Sequence, residues 1–382
     1  SQESNGHQAF SFGLADPRFL GADVNASALM RVHGDGREWA WSLRSNDRSV
    51  LEPWSAAVTS SQVRRYRVDP RKQVVTDITR RASALTVTRR VASSDAAVWA
   101  VTTGVEQELT DLDVTRAPAG LVGSRAHRAF VAPLFGVARR STSYREIDWL
   151  VPGQRASEMR VGVEGDFVAG FGREVRTGGP VTHWDGWLGA TTMPSSGTVI
   201  TGDLWTSGYR VRDSIQNASV RASATFFGRA HRGTWVGRLA GERVWSPDPD
   251  VFALSTADPM LRTLSPTSRL AAQALSAQVE RRAPLYAQDG RWALDGALFA
   301  AWSERRHTLD VAGNPVRVMQ AAMVGVGLRQ VRDDPRQSPL SIDIGRTITS
   351  SRGLPNRWIV TLTASPSLGG VRVRDGVRAP TR

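Results

Sequence analysis

Apolar residues recur at every second position through almost all of this chain, and that period restricts its fold more than any other feature. From Ala218 to Phe226, Ala218, Val220, Ala222, Ala224 and Phe226 fall on one face of an extended strand, and Ser219, Arg221, Ser223 and Thr225 fall on the other. Met159, Val161, Val163 and Phe167 alternate in the same way with Glu158, Arg160, Glu164 and Asp166, as do Trp39, Trp41 and Leu43 with Glu38, Ala40, Ser42 and Arg44. Similar strips cover Leu85 to Thr88, Ala97 to Val105, Leu340 to Ile344 and Arg357 to Ala364, with clusters of Gly, Pro, Asn, Asp and Ser between them. Arg269 to Arg282 admits a helix, but Leu270, Ala272, Ala274, Ser276 and Gln278 share one parity, which predicts a strand. No linker, shift in composition or fixed-period repeat divides the chain, so the pattern predicts one continuous all-β sheet.

Alternation of this kind fits a soluble sandwich, where the apolar face makes a core, and a membrane barrel, where it meets lipid. Strand length separates the two, because several strips approach the ~9 to 11 residues that a tilted transmembrane strand requires. Trp39, Trp99, Trp184, Trp187, Trp205, Trp235, Trp245, Trp292 and Trp358 lie near strip ends, where interfacial girdles would place them, although tryptophan also fills cores. The longest nearly apolar stretch, Val318 to Leu328, is far too short for a membrane helix of ~18 residues. We therefore expect a single antiparallel transmembrane β-barrel. The opening Ser1 to His7 has no secretion signal, as expected of a processed, exported protein or a fragment.

At particular residues the chain resembles the BamA/TamA-type outer-membrane assembly family, the bacterial surface-antigen barrels. Phe10 to Leu14 followed by Asp16-Pro17-Arg18-Phe19-Leu20-Gly21 resembles the family's first strand and its Phe-Leu-Gly turn. Gly296 to Ala301 resembles the strand of the Phe-x-Asp motif, Met323 to Arg329 the penultimate strand, Leu340 to Ile344 the strand region that follows, and Arg357 to Leu368 the closing strand. The resemblance implies about sixteen strands, or about 24 residues of this 382-residue chain per strand and connection. It implies a barrel over residues 1–368 with a basic tail at 369–382, and it would add POTRA domains upstream that this chain does not contain.

The departures bear on function. In the family a loop carries Val/Leu-Arg-Gly-Phe/Tyr, whose Arg folds into the lumen against the Asp of Phe-x-Asp. Leu261-Arg262-Thr263-Leu264 keeps the Arg without the Gly or the aromatic, and Ala301 stands at the Asp position. Asp295, on the strand face of Phe299 and Ala301 by parity, is the nearest substitute partner for Arg262. The resemblance also implies a barrel seam where Phe10, Phe12 and Leu14 of the first strand meet Trp358, Val360 and Leu362 of the last.

Chemistry is otherwise sparse. With no cysteine, thiolate metal sites, disulfides and a Cys nucleophile are excluded. His7, His33, His127, His183, His231 and His307 show no metal-ligand spacing, no serine sits in a nucleophile elbow, and the glycine pairs near Gly170 and Gly325 lack a dinucleotide fingerprint. We expect no enzyme activity, no cofactor and no metal. The formal net charge of +13 raises a soluble polyanion-binding β-protein as an alternative, with Arg64-Arg65-Tyr66-Arg67 and Arg139-Arg140 as its clusters. In a barrel these clusters would fall in loops or turns. The expected location is the bacterial outer membrane. Expected partners are membrane lipid and lipopolysaccharide, with client outer-membrane proteins or periplasmic subunits and no nucleic acid. Expected roles are insertion or translocation of outer-membrane proteins at the seam, or a scaffold or passive pore with an Arg-rich, anion-preferring lumen.

Overall fold

The computed structural model describes residues 10–16, 18–19, 23–33, 36–45, 53–69, 74–116, 126–147, 149, 157–245, 271–288, 292–309, 315–332, 340–350 and 358–364. Almost all of them are strand. In chain order these are β1 (Phe10–Asp16), β2 (Val24–His33), β3 (Gly36–Ser45), β4 (Trp54–Asp69), β5 (Val74–Ser93), β6 (Ala97–Arg116) and β7 (Ala126–Ser141). A small hairpin follows, β8 (Tyr144–Ile147) with β9 (Ser157–Arg160). The chain continues through β10 (Gly162–Glu174), β11 (Pro180–Ser195), β12 (Thr198–Val211), β13 (Ser214–Ala230) and β14 (Gly233–Trp245). It ends with β15 (Ala271–Gln288), β16 (Trp292–Leu309), β17 (Pro315–Arg332), β18 (Leu340–Ser350) and β19 (Trp358–Ala364).

Apart from the hairpin, every strand pairs antiparallel with the next one in the chain, and β7 pairs with β10 across the hairpin's base. Among the described residues the result is a 17-stranded meander, in keeping with the about sixteen strands that the resemblance implied. Connections as short as residues 196–197, 212–213 and 231–232 leave room for the extra strand. The predicted strand near Arg269 to Arg282 is β15. Strip Met159–Phe167, in contrast, is broken: Gly162 has φ +112°, and the chain turns there from β9 into β10. Any Cβ at Gly162 would lie 2.8 Å from Ser141 Oγ, so both the angle and the space call for glycine.

Which face is inside follows from side chains that meet across non-adjacent strands, because only a concave face brings them together. Tyr209 of β12 donates to Glu108 of β6 at 2.6 Å, and His183 of β11 lies 2.9 Å from Glu106 of β6. These residues therefore mark the concave face. On the convex face each of the 17 strands exposes large apolar side chains or packs small ones: Phe12, Met30, Trp41, Val58, Leu85, Val101, Phe135, Phe167, Leu188, Leu204, Phe226, Leu239, Val279, Leu298, Val326, Ile344 and Val360 are all exposed. A soluble barrel buries its apolar residues inside; here they face out on every strand, as lipid demands. The soluble polyanion-binding reading is overturned by this inversion, and its clusters lie within strands rather than loops, Arg64 to Arg67 in β4 and Arg139-Arg140 in β7.

Candidate functional site in the barrel lumen

The concave face is polar but far from empty. Near the rim where β6 ends, Glu108 accepts hydrogen bonds from Tyr209 and Thr110 and lies 3.5 Å from Arg128 and 4.0 Å from Arg80. Arg128 lies 4.5 Å over the Tyr209 ring, and the His183 ring stacks on Tyr209 with centroids 4.9 Å apart. Phe130, Ala132 and Val181 pack beside Tyr209 as a small apolar cluster. Across the wall a second network joins β15, β17 and β18: Glu280 pairs with Arg282 at 2.5 Å and with Arg329 at 3.1 Å, and Arg329 also reaches Asp343 at 2.6 Å. Buried charges of this kind persist when carboxylate and guanidinium are matched.

Toward the opposite rim the β8–β9 hairpin folds inward. Ile147 and Trp149 bury against Val199 of β12 and Phe227 of β13, with Met159, Met193 and Val236 around them. Trp149 also donates its indole N–H to the Ser196 carbonyl at 2.8 Å. The hairpin therefore seals part of one mouth with an apolar contact. Its base is tied by Arg160 to Glu164 at 2.8 Å and to the Tyr144 hydroxyl.

Between these two features the inner faces of β10, β11 and β12 carry Glu164, Asp166, Glu174, Asp185 and Asp203 and no arginine or lysine. Trp187 and Trp205 stand directly opposite each other there, with ring centroids 5.7 Å apart, and Trp187 donates to Asp203 at 3.1 Å. Trp187 lies flat over Gly189, where a Cβ would sit 2.5 Å from the indole. These two tryptophans thus line the lumen instead of the membrane girdle, which corrects their assignment. Four of the inward arginines, Arg128, Arg140, Arg282 and Arg329, are each matched to carboxylates.

Of the anticipated site residues, Asp295 and Phe299 are buried on the concave face of β16 as parity implied. Asp295 is opposite Arg329 in the sheet, and its Oδ1 has no hydrogen-bond partner among the described residues. Arg262 lies outside the described residues, as do the tail 369–382 and the side chains of Trp292, Phe10 and Leu362. Phe12, Leu14, Trp358 and Val360 are exposed on the convex face. No backbone pairing between β1 and β19 is described, so the seam itself is not formed among these residues. Sequence reasoning missed the Glu108 network and the hairpin plug, which depend on contacts between strands far apart in the chain.

An all-antiparallel meander with a lipid-ready convex face and a charged, partly plugged interior defines the class: this is a transmembrane β-barrel of the outer-membrane type. The sequence matches no known family model and no curated protein. Among solved structures the chain is similar to BamA from Haemophilus ducreyi lacking POTRA domains 1–3, with TM-score 0.47 and 10% identity over 93% of this chain and 67% of that one. It is also similar to CdiB from Acinetobacter baumannii, with TM-score 0.43 and 11% identity over 94% of this chain and 56% of that one. The alcaligin receptor FauA from Bordetella pertussis follows with TM-score 0.42 and 9% identity, over 94% and 62%. The chain thus spans about 56% to 67% of the lengths of these proteins.

Proposed function

We propose that this barrel resides in a bacterial outer membrane and assists insertion of β-strands at the seam between β1 and β19. The observation that carries the reading is the pairing at the two ends of the sheet. Among the described residues β1 pairs only with β2 and β19 only with β18, whereas the strands between them in the wall pair on both sides. Edge strands offer backbone donors and acceptors to a guest strand. The inward hairpin, which fills part of one mouth, favours this role over that of a passive pore.

The test uses the natural absence of cysteine. One cysteine is placed on β1 and one on β19, the chain is reconstituted in vesicles, and folding of an added outer-membrane barrel is followed by heat-modifiable gel migration. Acceleration by the reduced protein and loss of it on cross-linking supports the proposal. Equal client folding with open and locked seams refutes it.

A further inference from the structure

Among the described residues five arginines stack on tryptophans of the convex face, and in four of these pairs the two residues are direct cross-strand partners. Arg89 lies 4.8 Å over Trp54, Arg139 lies 5.8 Å over Trp99, Arg281 lies 5.5 Å over Trp235 and Arg346 lies 6.0 Å over Trp358. The registers Trp54↔Arg89, Trp99↔Arg139, Trp235↔Arg281 and Arg346↔Trp358 put each pair side by side on one face. The fifth, Arg243 over Trp245 at 5.0 Å, is two residues apart on one strand.

The first three share a rim. Trp54 opens β4, Trp99 is near the start of β6 and Trp235 is near the start of β14, and all three strands begin at the end of the barrel where β1 finishes. Chance placement of exposed arginine on a lipid-facing wall is costly, ~2 to 4 kcal/mol at the bilayer midplane and ~0 to 1 kcal/mol at its edge. A repeated arginine therefore belongs at the headgroup level, and the indole beside it covers the alkyl stem while leaving the guanidinium edge to polar partners.

We propose that Trp54–Arg89, Trp99–Arg139 and Trp235–Arg281 are binding sites for the phosphate groups of membrane lipids, arranged around one rim. A guanidinium whose plane is fixed by stacking presents paired N–H donors to phosphate oxygens with little further loss of entropy. Arg139 and Arg281 each spend part of their donor set on backbone carbonyls, Val163 for Arg139 and Arg282 with Arg232 for Arg281, which fixes the remaining donors in place. The inference concerns the outer wall and stands apart from the seam.

The experiment counts lipid retained by the whole folded chain in dodecyl maltoside, by native mass spectrometry, with phosphatidylglycerol, lipid A and a phosphate-free galactosyl diacylglycerol of matched tails as probes. Substitution of Arg89, Arg139 and Arg281 by Gln together is expected to weaken binding of one or both phosphate lipids about tenfold. A control variant with Arg81, Arg176 and Arg210 changed to Gln removes the same charge from exposed positions without a tryptophan and is expected to bind as the parent does. Heat-modifiable migration verifies folding of each variant. Equal losses in the two triple variants, or equal retention of the galactolipid by the parent, would overturn the proposal. Preference for phosphatidylglycerol or for lipid A supports it and tells which leaflet that rim meets.

Discussion

Removing one side chain from the inward hairpin gives a quantitative check on the plug. Trp149 is 9% exposed and caps the cluster of Ile147, Val199 and Phe227. Roughly nine-tenths of a ~200 Å² aromatic surface at ~25 cal/mol per Å² amounts to ~4.5 kcal/mol of burial, and measured Trp→Ala changes in cores run ~3 to 5 kcal/mol. Taking ~3 kcal/mol as the part lost when Trp149→Ala is compared with the parent, local opening of β8–β9 becomes ~150 times more frequent. The wall is held by its own ladders and is not asked to change. Hydrogen exchange on folded protein in detergent should then show protection of the β8 and β9 amides falling by about two orders of magnitude, while β12 and β13 amides keep theirs. Unchanged protection in the hairpin would refute the packing argument, and an equal fall in β12 and β13 would show that the hairpin is part of the wall's cooperative unit.

Glu108→Ala leaves Arg80, Arg128 and the Tyr209 hydroxyl facing a lost carboxylate and should cost ~3 to 5 kcal/mol, read as a lower unfolding midpoint in detergent. Tyr209→Phe removes a single hydrogen bond to the same carboxylate and should cost ~1 to 3 kcal/mol; the reverse ranking would dismiss Glu108 as the hub. On the convex face Leu239→Arg should lower the yield of folding into vesicles, whereas Ser223→Arg, on the concave face of β13, should not; equal yields would contradict the assignment of faces. Gly162→Val should detach the hairpin base through its φ of +112° and its contact with Ser141, seen as new protease cleavage between β7 and β10.

Much of this barrel is legible as period. Ala218 to Phe226 and Trp358 to Ala364 are strands where alternation places them, and even the alanine-rich stretch that becomes β15 obeys parity. Parity also placed Asp295 and Phe299 on one face. What alternation cannot tell is where a strand stops when the chain turns without losing its rhythm, so Met159 and Phe167 look continuous although one packs in the plug and the other faces lipid. For the tryptophans a signal was present: Trp187 shares parity with Asp185, and Trp205 with Asp203, which marks both as inward. The Glu108–Tyr209 contact joins residues 101 apart, and no local pattern encodes it.

The outer edges of β1 and β19 carry a constraint of their own. Hydrocarbon offers no hydrogen-bond partners, so the facing edges of β1 and β19 must pair with each other or with another strand. Among the described residues seventeen strands paired antiparallel in sequence order give the first and last the same direction, so direct closure of β1 on β19 makes a parallel pair, slightly weaker per residue than the antiparallel pairs elsewhere in the wall. One guest strand running the other way would be antiparallel to both neighbours and would make the count even. Disulfide scanning in this cysteine-free chain reads the direction, with single cysteines at Phe12 and Leu14 combined with single cysteines at Trp358 and Val360. Parallel closure links partners whose numbers rise together, Phe12 with Trp358 and Leu14 with Val360 in one register, whereas an antiparallel seam links Phe12 with Val360 and Leu14 with Trp358. The co-rising pattern, suppressed when a client strand is added, is expected from the topology. A crossed pattern would mean that the wall closes with an even number of strands, and the weakness argued for the seam would lose its cause.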